Sequence, residues 1–149
     1  MKVKNWLWIT LILGSLLTAC GGSGEQAATA PSIKHELSAQ DVQSLFEEDR
    51  PPHENVNEAR QKMMQSLEKA IKDGKAAGVE EDKLVNLTNA REMLNMEFKR
   101  YREMATTEVM SVDGEMSAEH LEMHRRSVNQ SLESEVLNLN EQLRLMIEE

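Results

Sequence analysis

Asn55-Val-Asn-Glu-Ala-Arg-Gln-Lys-Met-Met-Gln-Ser-Leu-Glu-Lys-Ala-Ile71 is the stretch that decides the fold class. Its Val56, Ala59, Met63, Leu67, Ala70 and Ile71 recur at spacings of three and four, which is the period of one helix face. Polar and charged residues fill the positions between them. The pattern predicts a helix that starts near Asn55, with Glu58 three residues on as its capping partner. Gly74 and Gly78 bracket the end of this helix, and Gly74-Lys-Ala-Ala-Gly78 reads as a turn.

The same period continues downstream. A third helix is predicted from about Glu80 to Val109, with Leu84, Leu87, Leu94, Phe98, Tyr101 and Ala105 on one face and Arg91 interrupting it. At 1.5 Å per residue it would span about 45 Å. Ser111-Val-Asp-Gly114 reads as a turn. Ser117 then caps a fourth helix whose apolar face is Leu121, Val128, Leu132, Val136, Leu139, Leu143 and Ile147. Upstream, Ser38-Ala-Gln-Asp41 has the serine and the acid of a helix start. Val42, Leu45 and Phe46 give this first helix a short face, and Pro51-Pro52 ends it, so it is expected over about residues 39–49. Alternating β-branched or aromatic runs are absent. The expected class is all-α: a small antiparallel bundle of three long helices plus one short N-terminal helix.

The first 20 residues have a different composition. Lys2 and Lys4 precede the mostly apolar run Trp6 to Leu17, which gives way to small residues at Thr18 and Ala19. That run of about 12 residues falls short of the ~20 a bilayer span needs. Cys20, the only cysteine, follows directly. Leu17-Thr18-Ala19-Cys20 resembles the lipobox of bacterial lipoproteins position by position. The resemblance implies that the Cys20 thiol receives a diacylglyceryl group and that the chain is cut between Ala19 and Cys20. The new amino group is then open to acylation by a palmitate-type chain. In Gram-negative lipoproteins of this type, a residue other than aspartate after the cysteine, here Gly21, favours the outer membrane. The implied organisation is a signal peptide over 1–19, a lipidated cysteine and flexible linker over 20–37, and a helical domain over 38–149. Residues 21–32 lack any large apolar side chain, as befits a tether.

The chain carries 26 acidic and 17 basic residues, a formal charge of −9, and loses two lysines with the signal. Such a surface repels nucleic-acid phosphate, and no basic stripe with interleaved aromatics offsets it, so no nucleic-acid partner is expected. A single cysteine allows no intramolecular disulfide. Stability therefore rests on helix packing or on oligomerisation.

Few residues point to chemistry. His120 and His124 are four apart and would share a helix face, the spacing that lets two imidazoles hold one Zn²⁺ or copper ion. Glu119 could add a ligand, and Met116 and Met123 offer thioether sulfur. Met93, Met96, Met104 and Met110 make the middle of the chain rich in methionine. The order His-x-Glu-x-His differs from the His-Glu-x-x-His of zinc proteases, and two exposed histidines beside gap-filling core methionines are the simpler account of it. Arg60, Arg91 and Arg125 fall on or beside the apolar stripes, either snorkelling at the edge or lining a groove for a partner's carboxylate. Glu47-Glu48-Asp49 and Glu80-Glu81-Asp82 suit exposed helix ends.

Leu37-Ser-Ala-Gln40 and Met116-Ser-Ala-Glu119 resemble the Leu-Thr-x-x-Gln helix starts of the Spy- and CpxP-like periplasmic family, whose members are helical and include stress chaperones and metal-resistance proteins. Neither a phosphate-binding glycine loop nor a nucleophile elbow is present. The chain is thus expected to be non-enzymatic and to need no cofactor. It reads as a lipoprotein of the cell envelope, held at the membrane through lipid on Cys20, that faces the periplasm and acts on an envelope protein partner by interaction, tethering or assembly. A metal-binding or Spy-like chaperone role is the alternative.

Overall fold

The computed structural model describes residues 32–46, 49–110 and 117–148, and only the backbone of 107–110. Leu17–Cys20, Glu47, Glu48, the Ser111–Gly114 turn, Met116 and the Met110 side chain lie outside what is described. Among the described residues the fold is all-helical, with four helices: α1 (Ala39–Ser44), α2 (Pro52–Ala77), α3 (Glu81–Met110) and α4 (Ala118–Glu148). No described helix is long and apolar enough to cross a membrane.

α1 begins where expected. Asp41 N–H donates to Ser38 Oγ at 3.1 Å, and Asp41 Oδ2 accepts from Ser38 N–H at 2.9 Å, a reciprocal capping box. It ends at Ser44, five residues short of the expected Asp49. Leu45 N–H bonds to Val42 O and Phe46 N–H to Gln43 O, a tightening into i→i−3 turns. That turn puts Leu45 and Phe46 into the core, each 7% exposed. Their burial outweighs the loss of one more helical turn.

The start of α2 also differs from the expectation. Pro52, not a residue after Asn55, opens the helix, and the Glu54 and Asn55 N–H groups both reach Pro51 O. A proline at the first helical position forfeits an N–H that would lack a helical partner anyway. Asn55 is therefore no cap. It is fully buried, and its Nδ2 donates to Asn129 Oδ1 on α4 at 3.2 Å. Asn129 Nδ2 in turn donates to Arg50 O at 3.3 Å, so two amides tie α2, α4 and the 49–51 turn together. α2 runs through Gly74 and stops at Gly78, whose φ of 73° is the left-handed cap that only glycine takes without strain.

Val56, Ala59, Met63, Leu67, Ala70 and Ile71 of the opening stretch are buried, together with Leu87, Leu94, Phe98 and Tyr101 of α3 and Leu132, Val136, Leu143 and Ile147 of α4. The Phe98 and Tyr101 rings pack edge to face, with centroids 5.6 Å apart. Burial holds the Tyr101 phenol above its ordinary value. Arg91 leaves the core face to Ala90 and pairs outside with Glu68 at 3.2 Å. Leu121 departs from expectation: it is 44% exposed, because the first turns of α4 precede its first buried residue, Val128. Contacts along α2 and α3 run in opposite order. Arg60 Nη2 donates to Asn95, Glu68 pairs with Arg91, and Gly74 approaches Leu84. On α4, Asn129 meets Asn55 and Asn140 lies beside the Ser66–His35 pair, so these contacts come in the same order along α4 as along α2.

The capping box makes α1 sensitive to acid. Its Ser38 hydroxyl and N–H hold the Asp41 carboxyl below 3.8, its ordinary value. A carboxyl depressed in the folded state adds stability that is present above pH 3.8 and lost as pH falls through the lower folded value. An Asp41→Asn variant should therefore melt below the wild type at pH 5, and the two melting curves should converge at lower pH. A pH-independent gap between them would exclude the carboxylate as the cause.

Candidate functional site

Two places on the bundle combine polar chemistry with a defined position. The first is the segment that leads into α1. Residues 33–37, expected at the end of the linker, lie against the bundle as a strap. Ile33 is 4% exposed and its Cδ1 would stand 2.7 Å from a Cβ on Gly74, so the glycine makes room for it. His35 reaches two helices: Nε2 is 2.9 Å from Asn140 Oδ1 and Nδ1 is 3.0 Å from Ser66 Oγ. Asn140 Nδ2 donates to Leu37 O at 3.0 Å, which orients its Oδ1 toward the imidazole. Nε2 is then the donor, and Nδ1 accepts the Ser66 hydroxyl proton. Lys69 Nζ completes the attachment, 2.7 Å from both Asp73 Oδ2 and Glu36 Oε1, and these two carboxylates raise its pKa.

The second place lies where α2 begins, α3 nears its end and α4 begins. A cleft of about 550 Å³ opens there. Pro51, Pro52, Ala105 and Thr106 supply an apolar lining, and His53, Asn57, Arg102 and Arg125 stand around it. α2 explains the placement: a proline-started helix puts two pyrrolidine rings at its tip, next to the last turns of α3. Pro52 and Gly74 are about 33 Å apart along α2 at 1.5 Å per residue, so the cleft and the strap's entry occupy opposite ends. A larger hollow of about 670 Å³ lies at the strap's end, beside Glu80, Asp82, Lys83 and Met146. Its rim mixes acids with a lysine, so it offers no consistent charge to a ligand.

Of the three arginines singled out in the sequence, the structure does not assemble a groove. Arg60 bonds Asn95 and Arg91 pairs with Glu68, both along the α2–α3 seam. Only Arg125 lines the cleft. Its Nη2 is 2.7 Å from Glu122 Oε2, and its buried Nε–H has no acceptor. Its neighbour there is Arg102, which the sequence pattern does not mark because it sits on the exposed side of α3. Arg102 is the one described arginine whose guanidinium has no hydrogen bond or ion pair with a described residue.

His120 is exposed and His124 half-buried in the early turns of α4. Among the described residues, no group of three or more His, Cys, Asp or Glu side chains could hold a metal ion. Met96 and Met123 are exposed, at 67% and 54%, while Met93 and Met104 pack on the core, so the methionines do not converge on one site. Glu81 and Asp82 stand in the first turn of α3, where carboxylates oppose the helix dipole.

No protein-family model matches the chain, and comparison with characterised proteins and with solved structures returns no match.

Proposed function

We propose that the chain is a lipid-anchored, non-enzymatic docking module of the bacterial cell envelope, held through acyl chains on Cys20. In this reading the three long helices form an antiparallel up-down-up bundle, periplasm-facing and attached to the outer membrane. The observation that carries the proposal is the strap. Ile33, His35 and Leu37 bind the chain that follows the tether to one end of the bundle, which leaves the other end free to meet a protein partner. Anchoring raises the effective concentration of that end for partners in the same compartment. The opposed contact order along α2 and α3, and the shared contact order along α2 and α4, support the bundle reading.

Site-specific photocrosslinking of the full chain in cells tests it. A photoreactive residue at His53 or Thr106, at the free end, should capture a discrete envelope protein. One at Lys72, near the strap's end, should capture less of it. A pattern indifferent to position, or no adduct from either end, would sink the docking role.

A further inference from the structure

We propose that the cleft between Pro51-Pro52, Arg102 and Arg125 binds the C-terminal carboxylate of a partner polypeptide whose last side chain is apolar. The inference deepens the docking reading by naming what the free end of the bundle recognises, and it rests on that reading only for the partner being a protein.

Charge is the first argument. The chain carries a net −9, and most of its arginines are spent on its own carboxylates or amides. Arg102 has no such partner, and Arg125 keeps an Nε–H without an acceptor while Glu122 takes its Nη2. No acid lines the cleft among the described residues. One guanidinium without an internal counter-charge, Arg102, beside one that Glu122 neutralises but leaves with an unused Nε–H, Arg125, favours an external anion, and guanidinium matches carboxylate geometry. The α2 N-terminus adds the positive end of its dipole to the same cleft. The acidic remainder of the surface repels polyanions, so a single carboxylate fits better than a nucleic acid or an anionic bilayer.

The lining is the second argument. Two proline rings and Ala105 make an apolar floor directly beside the cations. An inorganic anion would gain nothing from it. A carboxylate whose neighbouring atoms are apolar gains ~25 cal/mol for each Å² it buries. The third argument is size. At about 550 Å³ the cleft has room for one terminal residue and is open to solvent. A peptide end needs to insert only its last residue, while the preceding chain leaves through the opening.

The test uses the full-length protein in neutral detergent and a fluorescein-labelled peptide, Gly-Ser-Ser-Val-Leu, with a free C-terminal carboxylate. Its C-terminal amide is the control, and octanoate is a competitor. Fluorescence anisotropy should give saturable binding of the acid, with the amide weaker by about tenfold or more, the usual effect of losing a charged hydrogen bond. Arg102→Gln and Arg125→Gln should each reproduce that loss, and Arg91→Gln, on the α2–α3 seam, should leave binding unchanged. Far-UV circular dichroism checks that each variant keeps its helices; glutamine is as good a helix former as arginine. Equal affinity for acid and amide, unchanged binding in the Arg102→Gln/Arg125→Gln double variant, or no binding at millimolar peptide would overturn the proposal. Binding of octanoate without binding of the peptide would also overturn it, in favour of a small organic acid. If crosslinking captures a partner while the peptide stays unbound, this inference fails and the docking role stands.

Discussion

Replacing Cys20 by serine is expected to abolish incorporation of labelled palmitate and to stop cleavage before residue 20. The chemistry behind this all-or-none result is specific. A thiolate is alkylated to a thioether, whereas a serine hydroxyl is a far poorer nucleophile at neutral pH. The energetic consequence is also large. Each buried methylene contributes ~0.8 kcal/mol; one chain binds a membrane reversibly, and two or three on one residue hold it essentially permanently. Mass spectrometry of the purified protein decides the matter. The wild type should appear without residues 1–19 and with added acyl mass, and Cys20→Ser should appear with neither change. Wild-type protein that takes up no palmitate, or a serine variant still acylated at its N-terminus, would remove the anchor from the proposed function.

The second large effect concerns the core. Phe98→Ala is expected to destabilise the bundle by about 3–5 kcal/mol, the usual cost of truncating a buried aromatic ring. Phe98 is fully buried at the centre of α3, and it packs edge to face on Tyr101. From residue 20 onward the only other Phe, Tyr or Trp rings are Phe46 and Tyr101, so neighbouring Leu and Met side chains would have to collapse into the space left. A domain of this size has a total stability of ~5–15 kcal/mol, so the loss takes a large share of it. Urea unfolding of the full-length protein, followed at 222 nm, should show a midpoint lowered by well over 1 M if the urea slope is ~1–3 kcal/mol/M. Phe98→Leu should fall between the two. A Phe98→Ala midpoint within 0.2 M (roughly the scatter of linear extrapolation) of the wild type would mean that α3 is not packed through this residue.

The helix faces were legible in advance because a 3.6-residue period maps directly onto one side of a helix. Val56 to Ile71 and Val128 to Ile147 are buried as their spacing requires. Ser38 and Ser117 were legible as caps for a similarly local reason: the groups they satisfy lie three residues away. Two boundaries misled. Asn55 and Glu58 have the residue types of a helix start, but Pro52 starts the helix earlier and the amide of Asn55 is needed inside. Pro51-Pro52 is a stop and a start at once, and local chemistry alone does not separate the two. Leu121 belongs to the right face of α4, yet the turns that carry it precede that helix's buried residues. At the candidate site, Arg125 was visible beside an apolar stripe, whereas Arg102 has no sequence signal, since an exposed arginine on a helix looks like any other.

The amino-acid order by itself determined the helical class, the buried face of each long helix, the acidic surface and the lipobox-like motif. These depend on neighbours within one or two helical turns. Only the tertiary structure decided that Asn55 meets Asn129, that Asn140 and Ser66 receive His35, that Ile33 fits over Gly74, and that Arg102 joins Arg125 at one end of the bundle. Several of these hydrogen bonds join residues 74 to 105 positions apart. No local period encodes such partners; they follow from how three long helices pair once their apolar faces leave water.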